Sequence, residues 1–194
     1  LFDGDPAMAP STAWPLADAH VLKFDRLHID TDSGSIRFPD GFQNVQPSAA
    51  ALQMVQFVGP VKDAWLDQLR SAGATPIQYI DSNGYLVWAD ASARSKLRAM
   101  EGDRRIVHFS EPLPAFIKLG NSLFDLLQSD TQDASPVPVF VQRYRHDGDV
   151  AGRQRFSDLG LKPNVDWSPL LGYEVARFEA NAEQIRQIIE WPDV

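Results

Sequence analysis

Apolar positions along the chain change period several times, and each change marks an element. Leu52-Gln-Met-Val-Gln-Phe-Val58 is dense in apolar residues and stops at Gly59-Pro60, which reads as a strand. From Val61 to Ala72 the apolar residues Val61, Ala64, Trp65, Leu69 and Ala72 recur at helical spacing, and Gly73 is placed for the left-handed turn that ends a helix. Thr75 to Ala89 holds two runs rich in β-branched and aromatic residues on either side of Asn83-Gly84, a hairpin pattern. Asp90 is placed to cap a helix over Ala91–Glu101 that buries Leu97 and Met100, with Gly102 ending it. Arg105–Ser110 reads as a closing strand, stopped by Pro112 and Pro114. Residues 49–116 are therefore expected to form an α+β, ferredoxin-like βαββαβ unit, an antiparallel sheet with two helices.

The pattern then repeats. Val137–Arg145 is a predicted strand, and Asp149 to Leu159 a predicted helix with Phe156 and Leu159 inward. Gly160 matches Gly73, and Leu171–Phe178 matches Asn83–Trp88. Asn181 is placed to cap a last helix, Ala182–Glu190, with Ile185, Ile188 and Ile189 inward. Gly84 to Leu97 spans 13 positions, as does Gly172 to Ile185, and matched features lie 87–88 positions apart. Residues 137–194 thus read as a second copy that lacks its last strand. That would leave Val137–Arg145 as an open sheet edge, a template for pairing with another segment.

The flanks are less regular. Residues 1–19, with Pro6, Pro10 and Pro15, read as extended. His20–Thr31 alternates, with a parity change near Asp25 that suggests one strand carrying a bulge. Asp32-Ser33-Gly34 reads as a turn, and Ser35–Phe38 as a short returning strand. Together residues 1–48 form an N-terminal extended and strand segment; residues 117–136 form a linker with a short helix over Asn121–Gln128.

Charge and composition narrow the partners. A net charge of -8 argues against a nucleic-acid groove. The absence of cysteine excludes disulfides, thiolate metal sites and cysteine nucleophiles. No apolar run approaches the ~18 residues of a membrane span. Leu1-Phe-Asp-Gly-Asp5 is acidic where a secretory signal is basic, so no signal peptide is expected, and the chain reads as a processed piece of a longer precursor.

Candidate chemistry is sparse. Asp30-Thr-Asp-Ser-Gly34 lacks the ligand spacing and closing Glu of a calcium loop, and lacks the pattern of a nucleophile elbow, so it reads as a turn. His20 and His28 share parity on one predicted strand, and His108 and His146 stand alone. No metal-ligand spacing joins them, and solvent-facing or hydrogen-bonded histidines are expected. Arg143, Arg145, His146, Arg153 and Arg155, with Tyr144, make a basic cluster fit either to clamp an anion or to lie exposed on a strand end and helix face. Trp65, Trp88, Trp167 and Trp191 read as core or interface anchors. No catalytic residue, cofactor site or metal site is expected.

Val55-Gln-Phe-Val-Gly-Pro60, Trp65 to Gly73, Asn83-Gly-Tyr-Leu-Val87, Leu97-Arg98 and Ser110-Glu-Pro112 together resemble the propeptide region of secreted bacterial subtilisin-like serine proteases. The second copy, ending Trp191-Pro-Asp-Val194, resembles the propeptide unit just before the catalytic domain. The resemblance covers roughly residues 20–194. It implies a non-catalytic folding chaperone and temporary inhibitor of the protease domain in the same precursor, secreted or periplasmic, with no nucleic-acid or membrane partner. It also implies that the sheet packs on two protease helices and that the tail enters the substrate cleft. On that footing Asp81 and Asp166, near the hairpins, would cap protease helices, and Trp191, Asp193 and Val194 would approach the partner. The protease triad motifs are absent, so this chain is not expected to hydrolyse peptides, and the missing fourth strand bears on inhibition. A stand-alone module that binds by strand addition and a small ligand-binding ferredoxin-like domain are the alternative readings.

Overall fold

The structure is a computed structural model describing residues 20–24, 27–33, 36–129, 135–146 and 151–194. The expected extended segment 1–19, the expected bulge near Asp25, Gly34, Ser35, residues 130–134 within the expected linker and residues 147–150, which include the start of the helix expected from Asp149, lie outside those residues.

The chain is α+β. Two short strands, β1 (Val21–Phe24) and β2 (Leu27–Asp30), form an antiparallel hairpin. The expected single strand is instead two strands that pair with each other, Phe24 opposite Leu27, and a change of parity in the sequence does not separate that arrangement from a bulge. Ile36 to Phe38 forms no strand.

β3 (Ala51–Phe57), β4 (Thr75–Ile80), β5 (Gly84–Ala89) and β6 (Val107–Pro112) make a four-stranded antiparallel sheet in the order β4-β5-β3-β6. Helices α1 (Asp63–Ala72) and α2 (Ala91–Asp103) follow β3 and β5. Gly73 ends α1 with φ 95°, and the Asp90 side chain accepts from Ala93 N to start α2. α2 outruns the expected stop at Gly102 and ends at Arg104, itself left-handed at φ 50°. β6 likewise runs through Pro112, whose missing N–H is tolerated at a strand end.

β3 is buried along its whole length because both faces are covered. Val55 and Phe57 pack with Leu69, Leu97 and Val107 on the helix side. Met54 packs with Leu22, Ile29, Ile80 and Phe109 beneath the β1–β2 hairpin. Both glutamines of β3 bond inside through their amide nitrogens: Gln53 Nε2 donates to Ser110 Oγ at 2.7 Å, and Gln56 Nε2 to the Ser82 carbonyl at 2.9 Å, while Gln53 Oε1 is buried without a partner among the described residues.

The β4–β5 turn is displaced from its expected centre. The left-handed residues are Ser82 and Asn83, at φ 63° and 62°, and Gly84 already opens β5. Gly84 matters for close approach instead. A Cβ there would lie 2.6 Å from Leu22 Cδ2 and 3.1 Å from Ile80 Cβ. Leu22 is fully buried, so it can yield only by disturbing the packing around it. Gly84→Ala is therefore expected to lift the β1–β2 hairpin and cost about 1–3 kcal/mol, read as a lower urea midpoint at unchanged slope.

A one-turn 3-10 helix (Ala115–Lys118) and α3 (Asn121–Gln128) follow. Phe42, Phe116 and Leu127 share one core with the C-terminal half, where Phe42 stacks on Phe124. β7 (Val137–Tyr144), β8 (Val165–Leu170) and β9 (Tyr173–Ala180) form a three-stranded antiparallel sheet in the order β7-β9-β8. α4 (Gln154–Asp158) is shorter than expected, and α5 (Ala182–Ile189) carries a full capping box from Asn181 and Gln184. Among the described residues no helix is long and apolar enough to cross a membrane.

Candidate functional site

Among the described residues no strand pairs with the outer side of β7, and one face of the second sheet is exposed. Val139 and Val141 on β7, with Ala176 and Phe178 on β9, point into the core. Strand alternation sends their neighbours to the other side. There Phe140 pairs with Arg177, which in turn pairs with Val165. Phe140 is 72% exposed and Val165 51%. Leu170 and Leu171, at the β8–β9 turn, extend the apolar surface, and Leu171 is 92% exposed at φ 47°. A leucine held in the left-handed region, with its side chain in water, is unfavourable twice over.

The outer edge of β7 faces an apolar cavity of about 360 Å³. Its walls include Val139–Gln142, Leu119 and Ile185 on one side, and Leu52 and Leu86 of the first sheet on the other. Val194 stands at its margin. Tyr144 N donates to the Asp193 carbonyl at 2.7 Å. The first sheet makes the same bond where β6 joins β3: Val58 N donates to the Ile106 carbonyl at 3.0 Å. Val107 then packs inward in the first unit, as Val194 does in the second.

A buried ion network fixes this end of the chain. Arg143, only 2% exposed, reaches Glu174 Oε1 at 2.6 Å through Nη1 and Asp193 Oδ2 at 2.9 Å through Nε. Each carboxylate takes a second arginine. Arg155 Nη2 donates to Asp193 at 2.6 Å, and Arg153 Nε to Glu174 at 3.1 Å. Burial, the largest single influence, raises both carboxyls. The hydrogen bonds and charges of Arg153 and Arg143 at Glu174, and of Arg155 and Arg143 at Asp193, together outweigh it, so both sit below their ordinary values. The basic cluster, which the sequence left open between an anion clamp and an exposed face, is met at Arg143, Arg153 and Arg155 by carboxylates of the chain itself, with Arg145 left exposed.

The two halves meet around the same end. Leu52 N donates to the Pro192 carbonyl at 2.9 Å. Lys118 Nζ donates to the carbonyls of Ile189 and Trp191 at 2.8 and 2.7 Å, capping α5, and burial lowers this amine to about 8. Trp88 stacks on His146, and the Tyr173 hydroxyl, raised to about 12 by burial and then by Tyr144, lies 3.3 Å from Gln78 Oε1.

The residues singled out from sequence fall in different places. Asp81 and Asp166 are exposed, each accepting from the following backbone N–H. Trp191 packs edge-on against Phe156 with Arg155 over its ring. Asp193 is 1% exposed, its carboxylate taken up by arginines, so it is a lock inside the chain and does not face outward. The exposed apolar face of the second sheet was not singled out; the alternation in Val137–Tyr144 was its only signal. The histidines regroup as well. His28 is exposed on β2, whereas His20 and Asp32 meet His108 of β6.

A domain of unknown function (DUF8729) matches residues 23–113, from β1 through the end of β6. No curated protein and no solved structure matches the chain.

Proposed function

We propose that the two halves are ferredoxin-like units and that the chain is the propeptide region of a subtilisin-like serine protease precursor, a folding chaperone and temporary inhibitor without catalysis of its own. The observation that carries this reading is the β7 edge. It borders an apolar cavity, and Asp193 is hydrogen-bonded as Ile106 is, one residue before β6 begins in the first unit. A strand placed there would fill the cavity with its inward side chains and complete the order seen in β4-β5-β3-β6. The exposed face around Phe140, Val165 and Leu170 supplies the apolar surface that packs on the catalytic domain. A preformed sheet face lowers the barrier for a partner whose own topology is slow to form.

The test is refolding. A denatured subtilisin-like catalytic domain is diluted with and without the purified chain at micromolar concentration, and recovered peptidase activity and its inhibition are followed. Higher recovery together with inhibition supports the proposal. No change in either sinks it. The open edge also favours a second reading, a module that binds an extended apolar segment without any protease. Capture of such a peptide with no effect on refolding would select it.

A further inference from the structure

We infer that His20, Asp32 and His108 form a binding site for a divalent transition-metal ion of the zinc type, independent of the propeptide reading. Three ligand atoms converge there from distant parts of the chain. His20 Nδ1 lies 2.8 Å from His108 Nε2, and Asp32 Oδ1 lies 3.4 Å from the first and 3.2 Å from the second. Among the described residues this is the group of three such side chains whose ligand atoms all fall within 4.8 Å of one another.

The fold builds this convergence with three separate devices. The β1–β2 pairing continues one step past the strands, where Thr31 N donates to the His20 carbonyl at 2.8 Å. That step sets His20 beside the turn carrying Asp32. The Asp30 carboxylate accepts from Asp32 N and Ser33 N, so it holds the turn and leaves the Asp32 side chain to face the imidazoles. The third device is a bulge in β6. Gln56 pairs with Phe109 and Phe57 with Val107, so His108 has no partner in register. The extra residue turns Phe109 to the hairpin side while Val107 stays under the helices, and it aims the 7%-exposed His108 side chain at His20. Bulges commonly re-aim a side chain at functional sites.

Protons alone serve this triangle badly. One proton between the imidazoles satisfies one edge and leaves the remaining lone pairs facing each other. Two protons set N–H against N–H at 2.8 Å. A cation at the centre satisfies all three contacts at once. Tetrahedral bonds of about 2.0–2.1 Å place neighbouring ligand atoms roughly 3.3 Å apart. Both edges to Asp32 match that spacing, and the shorter histidine edge must open slightly. Two imidazoles and one carboxylate suit zinc and its neighbours over magnesium or calcium. Asp32 is 60% exposed, so the fourth position faces solvent. An ion here ties the β1–β2 hairpin to the edge strand of the first sheet.

The experiment titrates tag-free, chelator-treated chain with Zn²⁺ by calorimetry and with Co²⁺ by visible absorption. One equivalent is expected to bind, with a rise in thermal midpoint and a Co²⁺ band of low coordination number. His20→Gln and Asp32→Asn replace side chains that are not buried, and circular dichroism verifies their fold. Each is expected to weaken binding by more than the roughly 10–100-fold typical of outer-shell changes. His28→Ala and His146→Ala are expected to leave it unchanged. Absence of Zn²⁺ binding overturns the inference, as does binding that survives His20→Gln with Asp32→Asn. Equal binding of Mg²⁺ also overturns it, because that reports exposed carboxylates.

Discussion

Arg143→Leu is expected to destabilise the chain by about 3–5 kcal/mol, the range for removing one partner of a buried ion network. Arg143 sits between Glu174 and Asp193, and no more than 4% of any of the three side chains is exposed. The leucine would leave two carboxylates in the interior with one arginine each. Arg153, which remains on Glu174, is largely exposed and screened. Urea unfolding at neutral pH measures the loss. The pH dependence is a second reading of the same network. Both carboxyls lie below their ordinary values, so the unfolded chain binds more protons in acid than the folded one. Their contribution is complete above the unfolded values of about 3.9 and 4.3 and is lost as pH falls through the lower folded values. The gap between parent and Arg143→Leu should therefore narrow below about pH 4. A gap that stays constant or widens in acid would show that the arginine acts through packing and not through its charge.

Phe140→Asp is expected to do the opposite, leaving the fold intact and disabling the proposed contact. Phe140 is 72% exposed, so its loss removes little buried area within the chain. It stands in the middle of the exposed face, beside Arg177 and across from Val165. An aromatic anchor at the centre of an interface typically carries 2 kcal/mol or more, roughly 30-fold in affinity. The inhibition constant toward a subtilisin-like catalytic domain should rise by about that factor, with the thermal midpoint unchanged. Inhibition as strong as the parent's would place the contact elsewhere on the chain.

The sequence pattern carried the element order well where burial is one-sided and caps are local. Gly73, Asp90 and Asn181 stand at helix ends as their side-chain chemistry requires. It carried less where geometry depends on distant partners. Val107 and Phe109 share parity in sequence, yet the bulge at His108 sends them to opposite faces, because β3 sets the register from the far side of α1, α2 and the β4–β5 hairpin. The same distance hid His20 and His108 from each other. For Arg143, Arg153 and Arg155 the sequence left a clamp and an exposed face both open, because their carboxylates, Glu174 and Asp193, lie on β9 and beyond α5. Gly84 was legible as a special position but for another reason: it makes room for Leu22.

The bond from Leu52 N to the Pro192 carbonyl has a consequence for the order of events during synthesis. Residues of the first sheet emerge early and can pair among themselves at once. The Leu52 amide must wait until synthesis passes Pro192, 140 residues later, before its acceptor exists, and Lys118 waits with it for the end of α5. Closure of this joint is therefore a long-range step that follows the formation of α5. Until then the segment around Lys118 remains open to proteases, so a short proteolysis pulse during refolding should cut there first and lose access last.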